Sequence, residues 1–222
     1  MKKQINSTGS QENLGNSALA KAKPATETVD SSPEEKEVLE IIIKSQNGDQ
    51  DAFKRLVEKY RSQVVGVAFK MVGDYEDAKD ISQLVFVKTY QNLHRFELGK
   101  KFSTWLYRIT INASIDFLRK YRRYKHESVE DNLHELRENK GDAEEVYRRG
   151  LIRAAIEKSL ERLSFKQKSV FVLRDLEGLD IKSVSQVMTM PQATVRWYLH
   201  RARSKIRQEL QKNYPHILER ST

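Results

Sequence analysis

The stretch from Asp74 to Arg123 limits what this chain can become. Its apolar residues recur at steps of three and four, the spacing of one face of an α-helix and not the alternation of a strand. The first half, DYEDAKDISQLVFVKTYQNL, opens with carboxylates and carries Ala78, Ile81, Val85 and Thr89 on one face. The second half, FSTWLYRITINASIDFLRKYRR, opens with aromatic residues and ends in positive charge, with Phe102, Leu106, Ile109, Ala113 and Phe117 stepping along one side. A polar loop from His94 to Lys101, containing Gly99, joins them. One helix looks built to meet a protein and the other to meet nucleic acid.

The same period runs outward from this pair. Residues 1–31 are rich in Ser, Asn, Thr and Ala with no helical period, the composition of a disordered tail. Ser32-Pro33-Glu34-Glu35 is a helix start: a capping hydroxyl, a proline for the first turn and a glutamate that reaches back to the cap. Asn47-Gly48 ends that helix. A longer one begins near Asp49, with Phe53, Leu56, Val57, Tyr60, Val64, Val67 and Met71 on its apolar face, and Gly73-Asp74 stops it. After Lys125 the composition turns acidic and the period fades, so 126–145 reads as a linker. A second run of helices fills 146–214, and 215–222 is a tail. In it Ser164 and Gln167 have the spacing of a capping box, and Asp180 caps a short helix that turns at Thr189-Met190-Pro191. The expected fold is all-α, with two small helical domains at 32–125 and 146–214 held apart by an acidic tether.

Charge and composition narrow the function. Forty Lys and Arg against 31 Asp and Glu leave a formal +9, which suits a polyanionic partner. The absence of cysteine excludes disulfides, cysteine-ligated zinc and thiol chemistry. The five histidines show no ligand spacing, and no nucleophile–base pair or glycine-rich phosphate loop stands out, so no catalytic residue, metal or cofactor is expected. No apolar run is long enough to span a bilayer and Met1–Gln11 lacks the apolar core of a secretory signal, so the expected location is the cytoplasm.

Two segments carry specific signals. The side of the second organising helix that offers Arg108, Asn112, Arg119 and Arg123, thickened by Lys120, Arg122 and Lys125, combines phosphate-matching charge with the rings of Trp105, Tyr107, Tyr121 and Tyr124. Taken singly, Trp105 and Tyr107 read better as core. The last helix follows a short capped helix and a proline turn, the arrangement of a helix-turn-helix. Its first turns expose Gln192, Thr194, Arg196, Trp197 and His200, where a recognition helix meets base edges. Leu84, Phe86 and Val87 make the acidic helix unusually apolar. Burial on two sides and an exposed docking surface explain that equally well from periodicity.

These residues resemble a known family. DYEDAKDISQLVFVKTYQNL with FSTWLYRITINASIDFLRKYRR looks like conserved region two of bacterial RNA polymerase sigma factors, and LERLSFKQKSVFVLRDLEGLDIKSVSQVMTMPQATVRWYLHRARSKIRQEL looks like region four. With only these two regions, the chain is similar to the extracytoplasmic-function group. The resemblance implies a factor that binds core RNA polymerase, through the beta-prime coiled coil and through beta, and directs promoter recognition, strand opening and initiation. It assigns core-polymerase contact to Asp77, Asp80, Gln83, Val85 and Phe86. Contact with the minus-ten element falls to Trp105, Arg108, Asn112, Asp116, Arg119, Arg122 and Arg123, and with the minus-thirty-five element to Gln192, Ala193, Thr194, Arg196, Trp197, His200, Arg201 and Arg203. Double- and single-stranded promoter DNA and an anti-sigma factor are the implied partners. The chain departs from the pattern at Leu84, where an acidic residue is usual, at Thr189, where the turn has glycine, at Ser185, where alanine is usual, and at Trp197 and Tyr198. A stand-alone repressor or activator using the last helix, and an adaptor that binds polymerase without initiating, are the rival readings.

Overall fold

The computed structural model describes residues 33–125 and 143–215, and every regular element among them is helical. The first 32 residues, most of the acidic segment (126–142) and the last seven residues lie outside the described part, and so do the expectations placed on them. Four long helices come first: α1 (Pro33–Gln46), α2 (Gln50–Val72), α3 (Tyr75–Asn92) and α4 (Phe102–Lys125), with a short 3-10 turn at Leu93–Arg95. Then follow α5 (Ala143–Glu161), which begins inside the segment read as linker, α6 (Phe165–Phe171), a π-helical turn (Val172–Leu176), α7 (Ile181–Met188) and α8 (Gln192–Asn213).

The boundaries have local causes. Asp49 accepts from the Ala52 backbone N–H at the start of α2, and Asp74 from that of Asp77 at the start of α3. Gly73 closes α2 at φ 88°, a left-handed cap whose N–H reaches the Phe69 carbonyl. Ser164 and Gln167 form both halves of the expected capping box.

Helices α1–α4 enclose the first core, in which Leu56, Ala68, Ala78 and Val85 are fully buried. Each large side chain so buried contributes about 1.5–3 kcal/mol. Beside it Phe96, Phe102 and Trp105 form a ring cluster with centroids 5.4–5.7 Å apart. Gln46 of α1 donates to the carbonyls of both Leu93 and Phe96, which pins the start of the α3–α4 loop.

The expectation of two modules held apart is corrected here. Val67 and Met71 of α2 and Tyr107 and Ile111 of α4 are buried in one cluster with Val170, Leu173, Val184, Val187, Val195 and Leu199 of the second half. Helix α7 lies on α4, and the π turn lies on α2. Thus α4 is buried on two sides. Its second face carries Tyr107, Thr110, Ile111 and Ser114, and the hydroxyls of Thr110 and Ser114 are satisfied by the carbonyls of Leu106 and Thr110.

Candidate nucleic-acid interface

Helical spacing puts Trp105, Arg108, Asn112 and Asp116 on one stripe of α4. The structure brings all four into one groove of about 450 Å³, closed on the other side by Lys88 and Asn92 of α3 and Arg95 of the 3-10 turn. Asn92 is oriented by its own amide, which donates to the Lys88 carbonyl. Trp105 is half-buried against Phe96 and Phe102, so its ring is a fixed wall and not a mobile flap. Arg119 continues the stripe and pairs with Asp116 at 3.8 Å, both side chains well exposed. Arg122 and Arg123 stand in the last turns of α4, with their side chains outside the described part. Lys88 and Asn92 were not among the expected contacts, whereas Arg95 lies in the loop from His94 to Lys101 that the family resemblance marks for promoter specificity. The signal that finds them is the junction itself, because a loop pinned by Gln46 must bring the end of α3 to the start of α4.

The acidic helix presents a second surface. Leu84, Val87 and Tyr90 are 45, 52 and 48% exposed, far above what a doubly buried helix shows. With Asp80 and Gln83, both exposed, they make a mixed apolar and acidic stripe along α3. A groove of about 470 Å³ runs beside it, lined by Gln50, Phe53, Gln83, Phe86, Val87, Tyr90 and Gln91. Phe86 is 8% exposed but forms the groove's floor, and Asp77 is partly buried. Val85 is fully buried in the first core, so it offers no surface for direct contact with a partner, whereas Leu84, Val87 and Tyr90 stand exposed beside it on α3.

The helix-turn-helix is built by α7 and α8. Asp180 accepts from the Ser183 N–H at 2.7 Å, and that bond holds its carboxyl below the usual carboxylate range. Thr189 takes the left-handed conformation, φ 51° and ψ 50°, as a residue in the glycine position must. Ser185 answers its own departure from alanine: its hydroxyl donates to the Met190 carbonyl at 2.7 Å and ties the turn to α7. Val195, Leu199, Ala202 and Ile206 face inward from α8. Gln192, Ala193, Arg196, Trp197, His200 and Arg201 are exposed, and Thr194 is half-exposed. The Arg201 guanidinium lies over the Trp197 ring, 4.9 Å from its centroid. Arg203 departs from this group, because both its Nε and Nη2 donate to Asp175, at 2.8 and 2.6 Å. It braces α8 against the π turn, which its place in a basic run could not reveal.

Comparison with known proteins decides what these surfaces belong to. The Sigma-70 region 2 family matches residues 56–124, and Sigma-70 region 4 matches 153–206. The sigma-H factor of Pseudomonas aeruginosa is 32% identical over 180 residues, 78% of this chain and 93% of that one. The chain belongs to the ECF sigma factors. SigW of Bacillus subtilis is 29% identical over 78% of this chain and 98% of its own, and the sigma-E factor of Haemophilus influenzae is 31% identical over 77% and 94%. The fold is shared with CnrH, solved in complex with the cytosolic domain of CnrY, at TM-score 0.60 and 22% identity over 80% of this chain and 99% of that one. It is shared also with RpoE of Bartonella quintana in complex with the anti-sigma factor NepR, at TM-score 0.57 and 20% identity over 72% and 98%. This ECF sigma factor binds core RNA polymerase and promoter DNA and directs transcription initiation. No helix among the described residues is long and apolar enough to cross a membrane.

Proposed function

We propose that the three surfaces divide the work of initiation. The stripe of Asp80, Gln83, Leu84, Val87 and Tyr90 on α3 docks on the polymerase, with Phe86 as the floor of the adjoining groove. Exposed apolar side chains rimmed by carboxylates and amides have the make-up of a protein interface: a hydrophobic centre and a polar edge. The groove between α3 and α4 takes unstacked bases of the minus-ten element. It falls within the volume range of small-molecule pockets and offers a fixed indole for stacking, Lys88, Arg95 and Arg108 for phosphates, and Asn112 and Asp116 for base edges. The exposed turns of α8, Gln192 to Arg201, read the minus-thirty-five element in a major groove. Arg203 supports that helix from behind.

The observation that carries this reading is the convergence of Trp105, Arg108, Asn112 and Asp116 with Lys88 and Arg95 in one groove. Core polymerase supplies the chemistry; the sigma factor works by binding, in the cytoplasm where the polymerase acts. Because both CnrH and RpoE of Bartonella quintana were solved with a bound partner, an anti-sigma factor is proposed here too. Run-off transcription from the chain's own promoters with core enzyme is the test. Transcript that depends on the chain, and is lost with Trp105→Ala, supports the reading. A tight polymerase-independent footprint with no transcript would favour a stand-alone regulator.

A further inference from the structure

Trp197 stands where packing gives no reason for a large ring. Its indole is 52% exposed, as open as any large apolar side chain among the described residues. Val195, Leu199, Ala202 and Ile206 turn inward from α8. At about 100° per residue, the line opposite to them runs through Trp197 and Ser204. Of these two, Trp197 lies in the first turns, the part of a recognition helix that meets base edges. The ring is also held in place. The Arg201 guanidinium lies over it, 4.9 Å from its centroid, and the Tyr198 ring meets it at 80° with centroids 4.9 Å apart. Tyr198 is anchored in turn: it packs against the cluster that buries Val195 and Leu199, and the Lys166 ammonium of α6 is 5.9 Å from its ring centre.

We infer, resting on the assignment of α8 to the minus-thirty-five element, that Trp197 is a specificity-determining residue: its indole packs on the C5-methyl group of a thymine in the major groove, and so makes this factor select thymine at one position. The chemistry of the groove leaves little else for such a ring. Base edges there present acceptors, amino donors and a single apolar group, the thymine methyl. A phosphate is no partner for an indole face, whose π cloud is itself negative. The indole N–H is one donor, and one donor does not tell thymine O4 from guanine O6. Side chains on a helix lean toward its N-terminus, as Arg201 does over Trp197. One turn before Trp197 stands Ala193, exposed and too small to screen the ring. No carboxylate occurs from Gln192 to Gln208, while Arg196, His200 and Arg201 lie close by in sequence, so the ring is set in a field that draws in a polyanion.

The test uses holoenzyme, the full chain with core polymerase, on duplex DNA from one of the chain's own promoters with its minus-thirty-five segment randomised. Bound DNA is recovered and sequenced. The unaltered chain should enrich thymine at one position of one strand, and Trp197→Ala should lose that enrichment while keeping the preferences at other positions. Deoxyuridine in place of the selected thymine removes the methyl group and leaves every hydrogen-bonding atom. It should weaken binding of the unaltered chain about fourfold, the contribution of one buried methyl group, and should not weaken binding of Trp197→Ala further. Where cytosine replaces that thymine, 5-methylcytosine should bind tighter than cytosine by a similar factor, again only with Trp197 present.

Three results overturn the thymine contact while leaving α8 on its element. Selection of a sequence with no effect of deoxyuridine at any thymine would mean that no methyl group is read. A deoxyuridine effect that persists in Trp197→Ala would give the methyl group to another side chain. An equal loss across all sequences in Trp197→Ala would make the ring a general contact, to the DNA backbone or to a protein. A fourth result is different in kind: if the unaltered holoenzyme selects no sequence in the randomised segment, the assignment of α8 itself falls, and the thymine contact with it. The first deoxyuridine comparison is made on the unaltered protein, so it does not depend on the folding of any variant.

Discussion

Thr189 shows how a single residue records a compromise. A β-branched side chain at φ 51° costs about 1–2 kcal/mol relative to its ordinary conformations, and glycine pays part of that back through a freer unfolded chain. Thr189→Gly should therefore gain about 0.5–1 kcal/mol, raising the melting temperature by about 2 °C for a chain of this size, while Ser185→Ala, which removes the bond to Met190, should lower it. A calorimetric scan of both variants checks the pair, and a destabilised Thr189→Gly would mean that the threonine side chain supports the turn in some other way. The strain at this position was legible beforehand, because the resemblance to region four places a glycine there. The fate of Arg203 was not. It belongs to the same basic run as Arg201, and only the π turn, which no periodicity announces, brings Asp175 within reach. Arg203→Ala should thus lower stability and weaken binding to all DNA sequences alike. Arg196→Ala should instead lose about 1–3 kcal/mol of discrimination at one base position if the guanidinium grips a base bidentately. Binding titrations across a set of single-base variants of the minus-thirty-five element separate the two outcomes.

At the scale of the element, α3 and α4 were read with different success for one physical reason. A stripe of apolar residues announces one buried face, and both helices have a second face that matters. On α3 the second face is exposed and apolar, so an excess of hydrophobic residues betrayed it; periodicity set Val85 on the inner stripe with Ala78, Ile81 and Thr89, but could not say whether Leu84, Phe86 and Val87 met solvent or a second packing face. On α4 the second face is buried but holds Thr110 and Ser114, whose hydroxyls bond within the helix, so its composition looked like solvent exposure. Tyr107 was read as core from its type, yet its partner in the second half, Glu177, was invisible. The α3 assignment yields a direct comparison. Val87→Asp places a charge at the centre of the proposed docking stripe and forfeits the burial of one valine, about 1.5–3 kcal/mol, or roughly 10–100-fold in affinity for core polymerase. The melting temperature should hardly move, since Val87 is 52% exposed. Val85→Ala should do the reverse, costing stability through a cavity in the first core and leaving core binding of the folded protein intact. Equal losses of core binding in both variants would place the docking surface elsewhere.

The whole molecule responds to pH through Tyr107. Burial, and next the carboxylate of Glu177 beside it, push its phenol well above the usual tyrosine value. The groups facing it are Glu177 from the segment after the π turn, Lys70 and Gln63 from α2, and more distantly Tyr60 of the same helix. A phenol that holds its proton more tightly in the folded chain contributes its full share below the unfolded value of about 10. That share is lost as pH rises from there toward the folded value. Ionisation would set a phenolate against the Glu177 carboxylate, and the loss therefore falls on the contact between the halves as well as on each half. Because α2, α4, α6, α7 and α8 share one buried cluster, the unaltered chain should melt in a single transition at neutral pH. Above about pH 10 that transition should shift down and broaden as the halves uncouple. Lysine side chains in general lose their proton at similar pH, so the comparison must be made within one background. In Tyr107→Phe the alkaline shift should shrink, and the difference between the two curves from pH 9 to 11 isolates the phenol. Coincident curves would show that the proton on Tyr107 does not couple to the closure of the molecule.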